Sequence, residues 1–156
     1  MGSAGISIRR ESLSSASAVQ LIAALNAELS RTYPEDGATH FRLDSEEVEA
    51  GQGAFLVAYA GAEPVACGAV RRIDPGTAEI KRMYVRPGSR GLGLGRKMLE
   101  ALEGEARRLG ATRIVLETGV RQMEALGLYA QAGFARIPAF GEYLNSPLSI
   151  CMGKDL

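Results

Sequence analysis

Apolar residues recur along the chain with two different periods, and the changes between them divide it into short strands and longer helices. Ile6 and Ile8 alternate with polar neighbours and begin an extended segment. From Ser14-Ser15 the spacing lengthens to that of a helix, with Val19, Leu21, Ile22, Leu25 and Leu29 largely on one face. Residues 31–40 are polar and turn-rich, a candidate lid, and Asp44 or Ser45 predicts the cap of a short second helix through Ala50. Three strand-like runs follow, Ala54 to Ala60, Pro64 to Ile73 and Ala78 to Val85. The turns between them, Gly61-Ala62-Glu63 and Asp74-Pro75-Gly76, are short, so the runs predict an antiparallel meander. Met98, Leu99, Leu102, Ala106 and Leu109 mark a further helix that stops at Gly110, with Glu103 and Arg107 expected as an i,i+4 pair on its solvated side. A β-branched run over 113–118, a helix from about Gln122 to Gln131, a strand from Phe134 and a last strand over 148–152 complete the pattern. The fold class expected is α/β, a mixed sheet of about seven strands flanked by about four helices, with one right-handed parallel crossover in the middle.

Length and composition narrow the function classes. A chain of 156 residues that is 46% hydrophobic suits one domain over 1–156. Lysine plus arginine equal aspartate plus glutamate at 18 each, so no global field recruits nucleic acid or an acidic membrane, and any anion site must be local. No apolar run approaches the roughly 18 residues of a membrane span and the start lacks a secretory signal, which points to a cytoplasmic protein. Ile6 stands where a myristoylation motif needs Ser or Thr. Cys67 and Cys151 both fall in apolar strand-like segments, as buried thiols of a reducing compartment do. With one histidine, His40, and no Cys-x-x-Cys, no metal site is expected.

The local anion site is Val85-Arg86-Pro87-Gly88-Ser89-Arg90-Gly91-Leu92-Gly93-Leu94-Gly95-Arg96, where a strand empties through glycines into an amphipathic helix. Glycines let the backbone approach an anion, consecutive amides form a nest, and the helix start adds unpaired N–H groups and its positive dipole end. Arg90, Arg96 and Lys97 surround it with cations, of which Lys97 also suits solvated helix surface. A nucleoside triphosphate loop needs Lys-Ser/Thr after its last glycine, and Gly95 is followed by Arg96-Lys97. The dinucleotide fingerprint needs a third glycine or alanine where this chain offers Arg96 or Met98.

The pattern that fits is Arg90-Gly91-Leu92-Gly93-Leu94-Gly95, and it resembles the pyrophosphate loop of the GNAT superfamily of N-acetyltransferases. The flanking segments, Ile80 to Pro87 before it and Leu126 to Phe134 after it, resemble further motifs of that superfamily. The resemblance implies acetyl-coenzyme A as co-substrate, its pyrophosphate on Arg90, Gly91, Gly93, Gly95 and Arg96. Its pantetheine arm would pair with the backbone of Met83 and Val85, the Met83 N–H facing the developing oxyanion. The expected acceptor is a small primary amine, with direct transfer in a ternary complex; a homodimer is common in the superfamily. Two other readings of the loop are a non-catalytic acyl-coenzyme A sensor and a generic nucleotide-binding domain.

Such a transfer has two proton requirements. An alkyl ammonium of pKa ~10.4 is free amine in about one molecule in a few thousand at pH 7, and a departing thiolate of pKa ~8.5 leaves more readily if an acid meets it. By resemblance Tyr129 is the candidate acid; a core aromatic is its other reading. Glu79, on the strand that feeds the loop, is the candidate base; a strand carboxylate paired with a nearby cation is the alternative. Period-two alternation puts Glu79, Lys81, Met83 and Val85 on one face and Ile80, Arg82 and Tyr84 on the other. Tyr33, Glu35, Arg82 and Tyr143 are candidates for the acceptor pocket, and their other reading is ordinary surface pairing. Gln122 stands where many relatives carry asparagine and is expected to be structural, and His40 is either a base near neutral pH or a solvated loop residue.

Overall fold

A computed structural model describes residues 5–35 and 42–156. The chain runs β1 (Ile6–Arg10), α1 (Ala16–Thr32), β2 (Gly53–Ala60), β3 (Glu63–Asp74), β4 (Thr77–Val85), α2 (Leu94–Arg108), β5 (Arg113–Gly119), α3 (Met123–Gln131), β6 (Ala135–Arg136) and β7 (Ser149–Asp155). All seven strands form one sheet in the order β1-β2-β3-β4-β5-β7-β6. Its antiparallel pairing is broken once, at the parallel pair β4 and β5 joined through α2. The expected meander and crossover are both present.

Each face of the sheet carries its own core, because β2 and β3 are apolar on both sides. Ala54, Leu56 and Ala58 point to the α2 side with Met98, Leu99 and Leu102, whereas Phe55, Val57 and Tyr59 point to the α1 side with Ala18, Leu21 and Leu25. Ser15 caps α1 by accepting from the Ala18 N–H at 3.1 Å. Val19 stays exposed, because Ala18, Leu21 and Leu25 take the inward positions of α1. Gly68 sits where α2 crosses β3, and a Cβ there would lie 2.9 Å from Leu102 Cδ1.

Two expectations change. There are three α-helices among the described residues; the second expected helix is a single 3-10 turn, Ser45–Val48. The turn packs closely on the sheet, since a Cβ on Gly53 at the start of β2 would meet the carbonyls of Glu47 and Val70 at 2.3 Å. Glu103 is not on a solvated face: the expected i,i+4 ion pair with Arg107 is present at 3.9 Å, but Glu103 is buried and takes a shorter bond, 2.9 Å, from Lys154 Nζ of β7. The helix does stop as expected, at Gly110 with φ 84°.

Gly68→Ala is expected to destabilise the fold by about 1–3 kcal/mol through overpacking. In the Gly68→Ala/Leu102→Ala double variant, chemical denaturation should show the two changes costing less together than their sum, with a coupling of about 1 kcal/mol. Strict additivity would contradict the contact.

Candidate active site

A cleft opens where β4 and β5 part. Their parallel register runs from Thr77 opposite Arg113 to Ile80 opposite Leu116 and goes no further, although β4 continues to Val85 and β5 to Gly119. The cause lies in β4. Arg82 has a φ of 57°, the one non-glycine residue with positive φ among the described residues, and the β3–β4 register shifts between Cys67 and Ala69. This is a β-bulge, which bends the strand and increases its twist. The Cys67 thiol donates to the Arg82 carbonyl at 3.4 Å, and burial pushes that thiol's pKa up to about 12.

The bulge overturns the alternation expected from sequence. Ile80 shares the α2-side core with Met83 and Val85, while Tyr84 belongs to the α1-side core. Beyond the bulge, Val85 lies opposite Ala66 and the Arg86 N–H bonds the Val65 carbonyl at 2.9 Å. Val85 is therefore in a non-hydrogen-bonded pair, with its own N–H and C=O aimed away from β3 and toward the opening.

At the upper end of β4 lies the glycine loop. Gly91 and Gly93 have φ of 80° and 78°, and a Cβ at either would meet nothing within 4 Å: these glycines serve backbone conformation and stand beside open space. Gly95 is there for packing, since its Cβ would lie 2.9 Å from Leu128 Cδ2 of α3. Gly93 is the N-cap of α2 and brings no side chain to the first amides, which an α-helix leaves without internal partners; the Lys97 N–H returns to the Gly93 carbonyl at 3.2 Å. A cradle of such amides with room before it fits a diphosphate. Arg90 is engaged elsewhere: its Nε donates to the Val85 carbonyl at 2.9 Å and its Nη2 pairs with Glu28 of α1 at 2.9 Å. It braces the loop, while Arg96, half exposed and 4.0 Å from Glu100, is the more available cation.

Tyr129, Tyr143, Tyr33, Met83, Lys81, Arg82, Glu117, Thr118 and Gln122 line the cleft, with Leu25, Leu29 and Leu148 as apolar wall. Tyr129 is buried, stacked edge-on with Phe134 at 5.8 Å, and burial followed by the nearby Glu117 carboxylate raises its pKa well above the usual phenol range. Burial, then the charge of Glu79, does the same for Tyr143. Burial also raises Tyr33, whose hydroxyl accepts from the Arg121 N–H at 2.9 Å. All three phenols are thereby held neutral.

Glu79, the candidate base, stands outside the cleft lining. It is 1% exposed; its Oε1 accepts from Arg71 Nε at 2.9 Å and its Oε2 accepts from the Tyr143 hydroxyl at 2.8 Å. Its link to the cleft is the hydroxyl of Tyr143, which lines it. The carboxylate that does line the cleft is Glu117, unassigned from the sequence, with its Oε2 receiving the Ser149 hydroxyl at 2.5 Å. The signal available was a lone acid inside the apolar run 114–118.

The remaining candidates divide. Arg82, Tyr33 and Tyr143 reach the cleft, whereas Glu35 pairs with Arg121 outside its lining, an ion pair and hydrogen bond that hold the Glu35 carboxyl down at about 2. Gly119-Val120-Arg121, too short to single out from sequence, joins α1 to the β5–α3 turn: a Cβ on Gly119 would lie 1.8 Å from the Tyr33 oxygen. Gln122 is structural, its amide oxygen accepting the Gly119 N–H at 2.9 Å. His40 and half of the candidate lid, residues 36–40, lie outside the described residues. Among the described residues no group of three or more His, Cys, Asp or Glu is placed to hold a metal, and no helix is long and apolar enough to cross a membrane.

Comparison with known proteins agrees with this architecture. The model of the acetyltransferase (GNAT) family matches residues 20–134. The chain is 40% identical to a protein of Azospirillum brasilense named IAA acetyltransferase, over 97% of this chain and 98% of that one. A crystal structure from Klebsiella pneumoniae subsp. pneumoniae MGH 78578, of a protein provisionally named an acyl-CoA N-acyltransferase, has a TM-score of 0.84 and 34% identity over 97% of each chain. A GNAT family acetyltransferase from Elizabethkingia anophelis, solved with acetyl-CoA bound, shares the fold at a TM-score of 0.68 and 19% identity, over 97% of this chain and 99% of that one.

Tyr143→Phe should destabilise the protein by about 1.5–3 kcal/mol in denaturant melts, since the buried Glu79 carboxylate loses a hydrogen-bond donor. An unchanged melt would contradict the Tyr143–Glu79 bond.

Proposed function

The chain belongs to the GNAT acetyltransferase family, and on that premise we propose that it moves an acetyl group from acetyl-coenzyme A to a primary amine of a small-molecule acceptor, directly and within a ternary complex. The observation that carries this reading is the parting of β4 from β5 after Ile80 and Leu116, which leaves the Val85 end of β4 open beside the glycine cradle. Bound there, acetyl-coenzyme A supplies an activated acetyl thioester. Amides of the Gly91 to Arg96 segment hold its diphosphate, with Arg96 adding charge, and the N–H groups of Met83 and Val85 hold its arm along the open edge. Arg90 keeps strand, loop and α1 in register for this. The acetyl-CoA bound to the Elizabethkingia relative supports the assignment of the donor.

The cleft residues divide the remaining work. The Met83 N–H, just beyond the bulge, faces the oxygen on which charge develops. Glu117 takes the proton released by the attacking amine. Tyr129 meets the departing sulfur. A phenol raised above its ordinary ~10 cannot fully protonate a thiolate of pKa ~8.5 without a cost of more than about 2 kcal/mol, so Tyr129 acts as a hydrogen-bond donor to the sulfur. Direct transfer is favoured because neither cysteine lines the cleft; Cys67 sits in the α1-side core.

Titration calorimetry should show coenzyme A and acetyl-coenzyme A binding well ahead of ATP and NAD, and an amine panel should release thiol in an acceptor-dependent way. Binding without thiol release would leave only an acyl-coenzyme A sensor, and equal affinity for ATP would remove the donor assignment. In kinetics, Tyr129→Phe should lower kcat by roughly 10²-fold with little change in coenzyme A affinity. Glu117→Gln should remove the acid-side inflection of the pH–rate profile. A Glu117→Gln profile that retains that inflection would place the base elsewhere.

A further inference from the structure

Consecutive residues of a regular strand face opposite sides, yet Lys81 and Arg82 both line the same cleft. The positive φ at Arg82 allows it, so the bulge that opens the sheet also delivers two cations to one wall. Lys81 is deeply buried, its side chain 5% exposed, and it gives one bond to Glu142 at 3.3 Å; that carboxylate, 39% exposed, belongs to the 3-10 turn Gly141–Tyr143. An ammonium has three donors. Arg82, also buried, donates to the neutral amide oxygen of Asn26 on α1. Charges interact more strongly in such a partly desolvated wall than in bulk water, so a carboxylate entering the cleft would be attracted by both cations. The facing strand β5 contributes Glu117, and Leu25, Leu29 and Leu148 supply an apolar surface between. The cleft therefore presents positive groups on one strand, a carboxylate on the other, and hydrocarbon around both.

We infer that the acceptor is a primary amine that also bears a carboxylate, an amino acid or a close homologue, with Lys81 and Arg82 holding the carboxylate and Glu117 receiving the ammonium end. This rests on the acetyl transfer proposed above and adds the acceptor's class to it. In the reaction the bound ammonium gives one proton to Glu117 and on to solvent, the free amine attacks the thioester carbonyl, the new C–N bond replaces the C–S bond, the second amine proton reaches the departing sulfur through solvent to give coenzyme A thiol, and the acceptor carboxylate is unchanged. The product is an N-acetyl amino acid with a single negative charge.

The test compares acceptors that differ only in the carboxylate: leucine against leucinamide and isoamylamine, phenylalanine against its amide and phenethylamine, and β- and γ-amino acids for spacing. Coenzyme A binding is verified first by calorimetry. At least one carboxylate-bearing skeleton should show a kcat/KM tenfold or more above its amide and its decarboxylated amine, and Lys81→Met should reduce that ratio toward one. Glu142→Gln gives the opposing arm. If Lys81 recognises the acceptor, removing its competing carboxylate lowers or leaves KM for the amino acid; if the pair is only structural, both variants raise KM alike, which overturns the inference. Titration of the same amino acids into the enzyme–coenzyme A complex covers slow turnover. Coenzyme A binding with no preference for the carboxylate in either assay overturns the inference while the transferase reading stands; absence of coenzyme A binding overturns both.

Discussion

The β-bulge at Arg82 is the constraint on which the rest of the site depends. A non-glycine residue in the left-handed region costs about 1–2 kcal/mol, and the surrounding structure holds it there: the Cys67 thiol meets the Arg82 carbonyl and Asn26 meets its guanidinium. Without the bulge, β4 would continue its parallel pairing with β5 past Ile80 and Leu116, and the sheet would have no opening. With it, the two strands separate, Met83 and Val85 pass to the α2 side, and the Val85 N–H faces a gap while its C=O takes the Arg90 Nε. Strand geometry thus generates the backbone edge, the cleft and the placement of its charged side chains together.

Around that opening, the chain fixes groups by pairing them with partners outside the cleft. Arg90 is bound to Val85 and Glu28, so it holds the loop in place. Glu79, pinned by Arg71, holds Tyr143, which itself lies on the turn carrying Glu142 toward Lys81. Tyr33 is seated against Gly119 and tied to Arg121, joining the end of α1 to the β5–α3 turn. Preorganised groups of this kind need little rearrangement when a substrate arrives, which is the way polar sites contribute most to catalysis.

Much of this was legible in the sequence. The meander, the parallel crossover and the glycine loop follow from local rules: period-two runs, short turns, and glycines ahead of an amphipathic helix. Tyr129 stood out because its surrounding residues form a motif, and it lines the cleft. What escaped was set by tertiary contacts. One added residue in β4 reverses the facing of everything after it, so alternation grouped Glu79 with Met83 and Val85. Glu117 lay hidden in an apolar strand, where only the parting of β4 and β5 shows that its side chain has a cleft to enter. Arg90 looked like a phosphate ligand because Glu28, its partner, is 62 positions away. Glu103 looked solvated because Lys154, at the far end of the chain, covers it.

The central claim is that main-chain amides on the open end of β4 and in the glycine loop hold the donor. Amide hydrogen exchange with and without coenzyme A tests this most directly, since the Val85 N–H points away from β3 and the first amides of α2 have no helical partner, so these should exchange readily in the free protein. The account expects coenzyme A to slow exchange at Met83, Val85 and the 91–96 segment while leaving the β2–β3 hairpin unchanged. Coenzyme A binding that leaves those amides exchanging as in the free protein would contradict it.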